Sequence, residues 1–124
     1  MSASTIVNIL LGAFLLWSIY RMVAPIKGMT TLNASQFKDR LHANKGALLV
    51  DVREVNEFKS GSIPKAVNIP LSQLKSRMNE IPKDKEVFVF CKSGMRSKKA
   101  AAMMSAKGHR QIVNLQGGIM SWKG

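Results

Sequence analysis

The apolar positions of this chain begin as one unbroken block and then scatter into short runs separated by polar turns. From Met1 to Tyr20 no side chain is charged, and TIVNILLGAFLLWSIY (residues 5–20) is interrupted only by small or mildly polar residues such as Asn8, Gly12 and Ser18. The block has no polar face, so it does not read as the amphipathic core helix of a soluble domain. At about 1.5 Å per residue, roughly 20 helical residues match a hydrocarbon layer about 30 Å thick. Residues 1–24 therefore read as a transmembrane anchor that meets the membrane through residues 5–21. APIKGM (residues 24–29) contains a Pro and a Gly, and the expected linker is 25–30, ahead of a domain at 31–124.

Beyond the linker the spacing alternates between helical and strand-like. NASQFKDRLHA (33–43) predicts a helix with Asn33 as N-cap, Gln36 completing a capping box, and Phe37 and Leu41 on one stripe. GALLVD (46–51) is a short continuous apolar run of the kind buried in a parallel sheet. EVNEFKS (54–60) predicts a helical turn, with Arg53 and Glu57 four apart and able to pair. GSIPKAVNIP (61–70) is punctuated by Gly61, Pro64 and Pro70, with a short strand at 66–69. LSQLKSRMNEI (71–81) puts Leu71, Leu74 and Met78 on one helical face, and Pro82 ends it. EVFVF (86–90) is the clearest strand, residues 96–107 a strong helix stopped by Gly108, QIVNL (111–115) a last strand, and GGIMSWKG (117–124) a final turn. Strands alternating with helices predict an α/β domain with a mainly parallel sheet flanked by helices, preceded by a single transmembrane helix.

Charge adds orientation. A cleaved secretory signal would carry basic residues before its apolar run; here none precedes it, and Arg21, Lys27, Lys38 and Arg40 follow. That asymmetry favours an uncleaved anchor with the domain in the cytoplasm, and Trp17 and Tyr20 suit the interface beside Arg21. All 19 Lys and Arg and all seven Asp and Glu lie after residue 20, so the domain carries the whole formal charge of +12. Such a balance points to an anionic membrane surface or small anionic substrates. Nucleic acid is not expected, because the cations are scattered and aromatic residues for base stacking are few. His42 and His109 are far apart and read as surface or helix-end residues, with no metal-ligand spacing; neither metal nor cofactor is expected.

The chemistry gathers around Cys91, which has no second cysteine to pair with. It follows a strand, and residues that follow strands of a parallel sheet collect at its carboxyl edge, where Asp51 is also expected. Lys92, Ser93, Gly94 and Met95 form a short loop leading into a helix at Arg96. Loop amides can point at the sulfur, Gly94 permits a left-handed kink, and the helix start adds positive potential. Lys92 and Arg96 further favour the thiolate, so the expected cysteine pKa lies below its ordinary value. The bland alternative is a small buried hydrophobe after a strand; the Gly, the cations and the helix start weigh towards a reactive thiol.

Residues from about 30 to 124 resemble a rhodanese-type sulfurtransferase. VDVREVNEF resembles the family's first signature, GSIPKAVNIPLSQL its second, VFCKSGMRS its active-site loop and VNLQGGIMSW its closing segment. Where the family often has His and Gly in the second signature, this chain has Ser62 and Lys65. The resemblance implies that Cys91 takes the outer sulfur of a small anionic donor such as thiosulfate, becomes a persulfide, and passes the sulfur to a thiol or protein acceptor. It implies that the amides of Lys92 to Arg96 cradle that sulfur, and that Arg96 closes the loop and attracts the donor with Lys92. Asp51 is expected to hold loop amides or Arg96 rather than to move protons, since a carboxylate beside the sulfur opposes the thiolate; Arg53 is expected to share that role. Related phosphatases and arsenate reductases place five residues between cysteine and arginine; the four here suit one sulfur atom better than a tetrahedral oxyanion. Two further functions stay in view: a membrane-tethered, non-catalytic rhodanese-like interaction module, and a small phosphatase, which the loop length disfavours.

Overall fold

The computed structural model describes residues 1–124. Five strands, β1 (Met29–Leu32), β2 (Leu48–Asp51), β3 (Val67–Asn68), β4 (Val87–Phe90) and β5 (Ile112–Leu115), form one sheet in the order β1-β5-β4-β2-β3. Every neighbouring pair is parallel. The helices are α1 (Ala3–Val23), α2 (Ala34–Ala43), α3 (Val55–Lys59), α4 (Leu71–Leu74) and α5 (Met95–Ala106), with 3-10 turns at Lys75–Glu80 and Gly118–Ser121. The expected α/β architecture, a parallel sheet flanked by helices, is the observed one.

The central position of β4 explains its composition. All four of its residues are buried, because both faces of the sheet are covered and a side chain on either face must be apolar. Val87 and Val89 face α4 and α5 and pack with Val50, Leu74, Ala100, Ala101 and Met104, a layer that also takes in Cys91. Phe88 and Phe90 face the other way, towards Phe37 of α2, Leu49, Val113 and Leu115. The Phe37 and Phe88 rings meet edge to face at 5.2 Å, the arrangement aromatic quadrupoles favour. Asn33 and Gln36 make the predicted reciprocal cap at the start of α2, at 2.9 and 3.2 Å.

Three elements differ from expectation. Met29 and Thr30, placed in the linker by the sequence, open β1 at the sheet edge, where they pair with Ile112 and Val113; the two threonines of β1 are exposed, so the strand carries no apolar run to betray it. The helix expected over 71–81 is one α turn that tightens into the 3-10 turn, with Arg77 gripping Glu80 three residues on at 2.7 Å. His109 is buried rather than at the surface, its ring nitrogens bonded to the carbonyls of Met104 and Ile81 at 3.0 and 2.9 Å. It fastens the end of α5 to the chain before β4.

α1 is exposed along its length and is long and apolar enough to cross a membrane. It touches the domain at its final turn, where Lys98 of α5 donates to the Met22 carbonyl at 3.4 Å.

Candidate active site

β4 delivers Cys91 to the carboxyl edge of the sheet, and the loop that follows turns back over the sulfur. Gly94 adopts φ +108°, a conformation L side chains rarely take, and its N–H donates to the Cys91 sulfur at 3.0 Å. α5 begins at the next residue, so the thiol lies beneath a helix N-terminus. Ser97, in the first turn of α5 and fully buried, puts its Oγ 3.5 Å from the sulfur while donating to the Gly94 carbonyl at 3.1 Å.

Burial alone pushes the Cys91 thiol up, but its hydrogen bonds with the Ser97 side chain and with the Ser97, Gly94 and Ser93 amides outweigh it and hold its pKa below the ordinary thiol value. The direction is the one the sequence predicts, and the loop amides expected to point at the sulfur supply much of it, together with the Ser97 hydroxyl. Arg96 is committed elsewhere: Nη1 and Nη2 grip Glu57 of α3 at 2.6 and 3.0 Å. That hydrogen-bonded guanidinium is the main reason the Glu57 pKa is held down at about 2. Lys92, Ser93 and Met95 are exposed on the loop's outer side.

The loop is braced from the closing segment. Ile119 N–H donates to the Cys91 carbonyl at 2.8 Å and Met120 N–H to the Lys92 carbonyl at 3.2 Å. Gly118 makes this approach possible: a Cβ there would stand 2.3 Å from the Lys92 carbonyl oxygen, a distance no side chain tolerates.

Asp51 and Arg53 are at the same edge but act on each other, not on the loop. The fully buried Asp51 carboxylate accepts from Arg53 N at 2.9 Å, from Arg53 Nη2 at 2.7 Å and from Ser62 Oγ at 2.9 Å. Arg53 in turn donates to the Gly61 carbonyl at 2.7 Å. Asp51 therefore holds the second-signature loop rather than the Cys91 amides or Arg96. The proposed Arg53–Glu57 pair is replaced by Asp51–Arg53 and Glu57–Arg96; a carboxylate two residues away wins Arg53 because it shares the same buried strand end. Lys65, at the position where the family often has Gly, adopts a left-handed φ of +72°.

Glu57, Ser97 and Gly118 are the parts of the site that sequence reasoning missed. Ser97 lies in the first turn of α5, three residues past Gly94, a spacing that returns its side chain to the loop. Glu57 is 39 positions from Arg96, and nothing in the sequence links them. A surface cleft between Leu41, Leu49, Ile63, Lys65 and Trp122 does not include Cys91.

Residues 33–124 match the family model described as rhodanese-like domain, and the chain belongs to that family. It is 42% identical over 122 residues to protein YqhL of Bacillus subtilis, spanning 98% of this chain and 94% of that one. It is 38% identical to a protein named sulfurtransferase from Allochromatium vinosum, over 73% of this chain and 85% of its relative. A rhodanese-like domain protein from Staphylococcus aureus superposes with a TM-score of 0.70 at 30% identity, covering 77% of this chain and 92% of that structure.

Proposed function

We propose that the protein is a sulfurtransferase that carries sulfane sulfur as a persulfide on Cys91. Membership of the rhodanese-like family and likeness to a protein named sulfurtransferase support sulfur transfer in general. The observation that carries the residue-level reading is the Gly94 N–H aimed at the Cys91 sulfur at 3.0 Å, in a loop whose donors lower the thiol pKa.

In the first step the Cys91 thiolate attacks the outer sulfur of thiosulfate; a new S–S bond forms on Cys91 and the old one breaks, its electron pair leaving with sulfite. In the second, a nucleophile attacks the outer sulfur of the persulfide and the Cys91 thiolate departs. With no second cysteine in the chain, that nucleophile comes from outside: cyanide in an assay, a small thiol or a protein thiol otherwise. The amides of the loop from Lys92 to Arg96 are suited to hold the transferred sulfur, since it carries partial negative charge in both transition states. Lys92, exposed at the mouth, draws in the dianionic donor. Arg96, already paired, sets the shape of the loop. The apolar α1 and the basic residues after it support a membrane tether with the domain on the cytoplasmic side.

Thiocyanate production from thiosulfate and cyanide by wild type, and its loss in Cys91→Ser, is the expected outcome. A folded wild type that produces none would overturn the enzyme in favour of a tethered binding module.

A further inference from the structure

After α1, four large apolar side chains are exposed: Val55, Val67, Met95 and Met120. The two most exposed, Met95 at 82% and Met120 at 70%, both border the Cys91 loop. Met95 is the first residue of α5, directly after the loop, and the Met120 amide bonds the Lys92 carbonyl. Around them stand exposed Lys92, Lys98, Lys99 and Lys123. Long flexible apolar side chains ringed by cations suit a surface that is oily beneath and anionic on top.

The path of the chain shows where that surface lies. Lys98, in the first turn of α5, bonds the Met22 carbonyl and so caps the C-terminus of α1 with a positive charge. Ser105, near the other end of α5, donates to the Lys27 carbonyl at 2.6 Å. Residues 22–27 thus run beside α5 from its N-terminal turn to its C-terminal turn. The point at which the chain leaves α1 lies at the Cys91 end of the domain. Met95 is less than one turn from Lys98, about 5 Å along the helix. The five residues between Val23 and β1, even fully extended, reach no further than roughly 17 Å.

From this geometry we infer that the rim of the Cys91 loop docks on the anionic bilayer surface into which α1 inserts, with Met95 and Met120 in the headgroup layer and Lys92, Lys98 and Lys99 on lipid phosphates. The inference rests on the reading of α1 as a bilayer anchor. It puts the mouth of the sulfur-carrying loop at the lipid interface.

The test uses the full chain in vesicles of phosphatidylcholine alone or mixed with phosphatidylglycerol. Flotation reports the anchor; a brief hydrogen peroxide pulse, read by mass spectrometry, reports water access to each methionine. Lys45→Met, in the turn between α2 and β2, provides an exposed reference. The chain floats with both vesicles; Met95 and Met120 oxidise several-fold more slowly on the anionic ones while position 45 does not change. High salt removes the protection, as does Lys98→Glu with Lys99→Glu. Flotation with equal oxidation of Met95 and Met120 on both vesicle types would overturn the docking and leave the anchor standing. Failure to float would overturn both. The salt comparison uses wild type, so it stands even if the double variant fails to fold.

Discussion

Two arginine–carboxylate pairs sit at the carboxyl edge of this sheet with nearly the same geometry and different consequences. Asp51–Arg53 is 2.7 Å long with side chains 0% and 7% exposed; Glu57–Arg96 is 2.6 Å long with side chains about one third exposed. In the first, both charges have left water and are matched by further bonds to Ser62 and the Gly61 carbonyl. Removing one partner strands the other in a medium that cannot solvate it. In the second, water screens the charges, so the pair adds little to stability. It ties α3 to the first turn of α5 and so fixes the shape of the loop around Cys91. Burial, not bond length, separates a pair that holds the fold from one that holds the site.

Breaking the buried pair has the largest effect. Asp51→Asn lowers the free energy of unfolding by about 3–5 kcal/mol in a urea titration. Replacing both partners with leucine recovers part of that loss, since no charge is then left unpaired. Glu57→Gln costs less than about 1 kcal/mol, but slows sulfur transfer by about tenfold because the loop loses its brace. The pH dependence sharpens the contrast. The folded-state pKa of Glu57 is depressed from 4.5 to about 2, so its stabilising contribution is present above pH 4.5 and is lost as pH falls towards 2. A carboxyl-detected NMR titration of Glu57 should accordingly show it ionised at pH 4.

Smaller effects follow at the thiol and at the second loop. Ser97→Ala removes the hydroxyl that hydrogen-bonds with the sulfur, so the Cys91 pKa rises, and the pH midpoint of alkylation by iodoacetamide moves upward from a wild-type value below that of an ordinary thiol. An unchanged midpoint would transfer the role to the backbone amides. Lys65→Gly relieves a left-handed side chain and raises stability by roughly 0.5–1 kcal/mol after the entropy cost of glycine; Lys65→Ala brings no such gain.

The legible parts of the molecule are those encoded locally. The fully apolar VFVF (87–90), the capping box at Asn33 and the Cys91-to-Gly94 turn each carry their physics within a few residues. β1 was hidden because an edge strand with outward-facing threonines has no core pattern to display. The partners of Asp51, Arg53, Glu57 and Arg96 were misassigned because helical spacing suggested a pair that tertiary burial overrides. His109 reads as a surface residue until the fold brings the Ile81 carbonyl, 28 positions away, to its ring. The loop amides expected at the Cys91 sulfur are there, but only the fold reveals the Ser97 hydroxyl beside it and the Glu57 carboxylate that takes up Arg96.

The most direct test of the account is the intact mass of wild type and Cys91→Ser after incubation with thiosulfate. Gain of a single sulfur atom by wild type, lost again with cyanide, and no gain by Cys91→Ser is the predicted result. No gain by folded wild type, or an equal gain by Cys91→Ser, would contradict it.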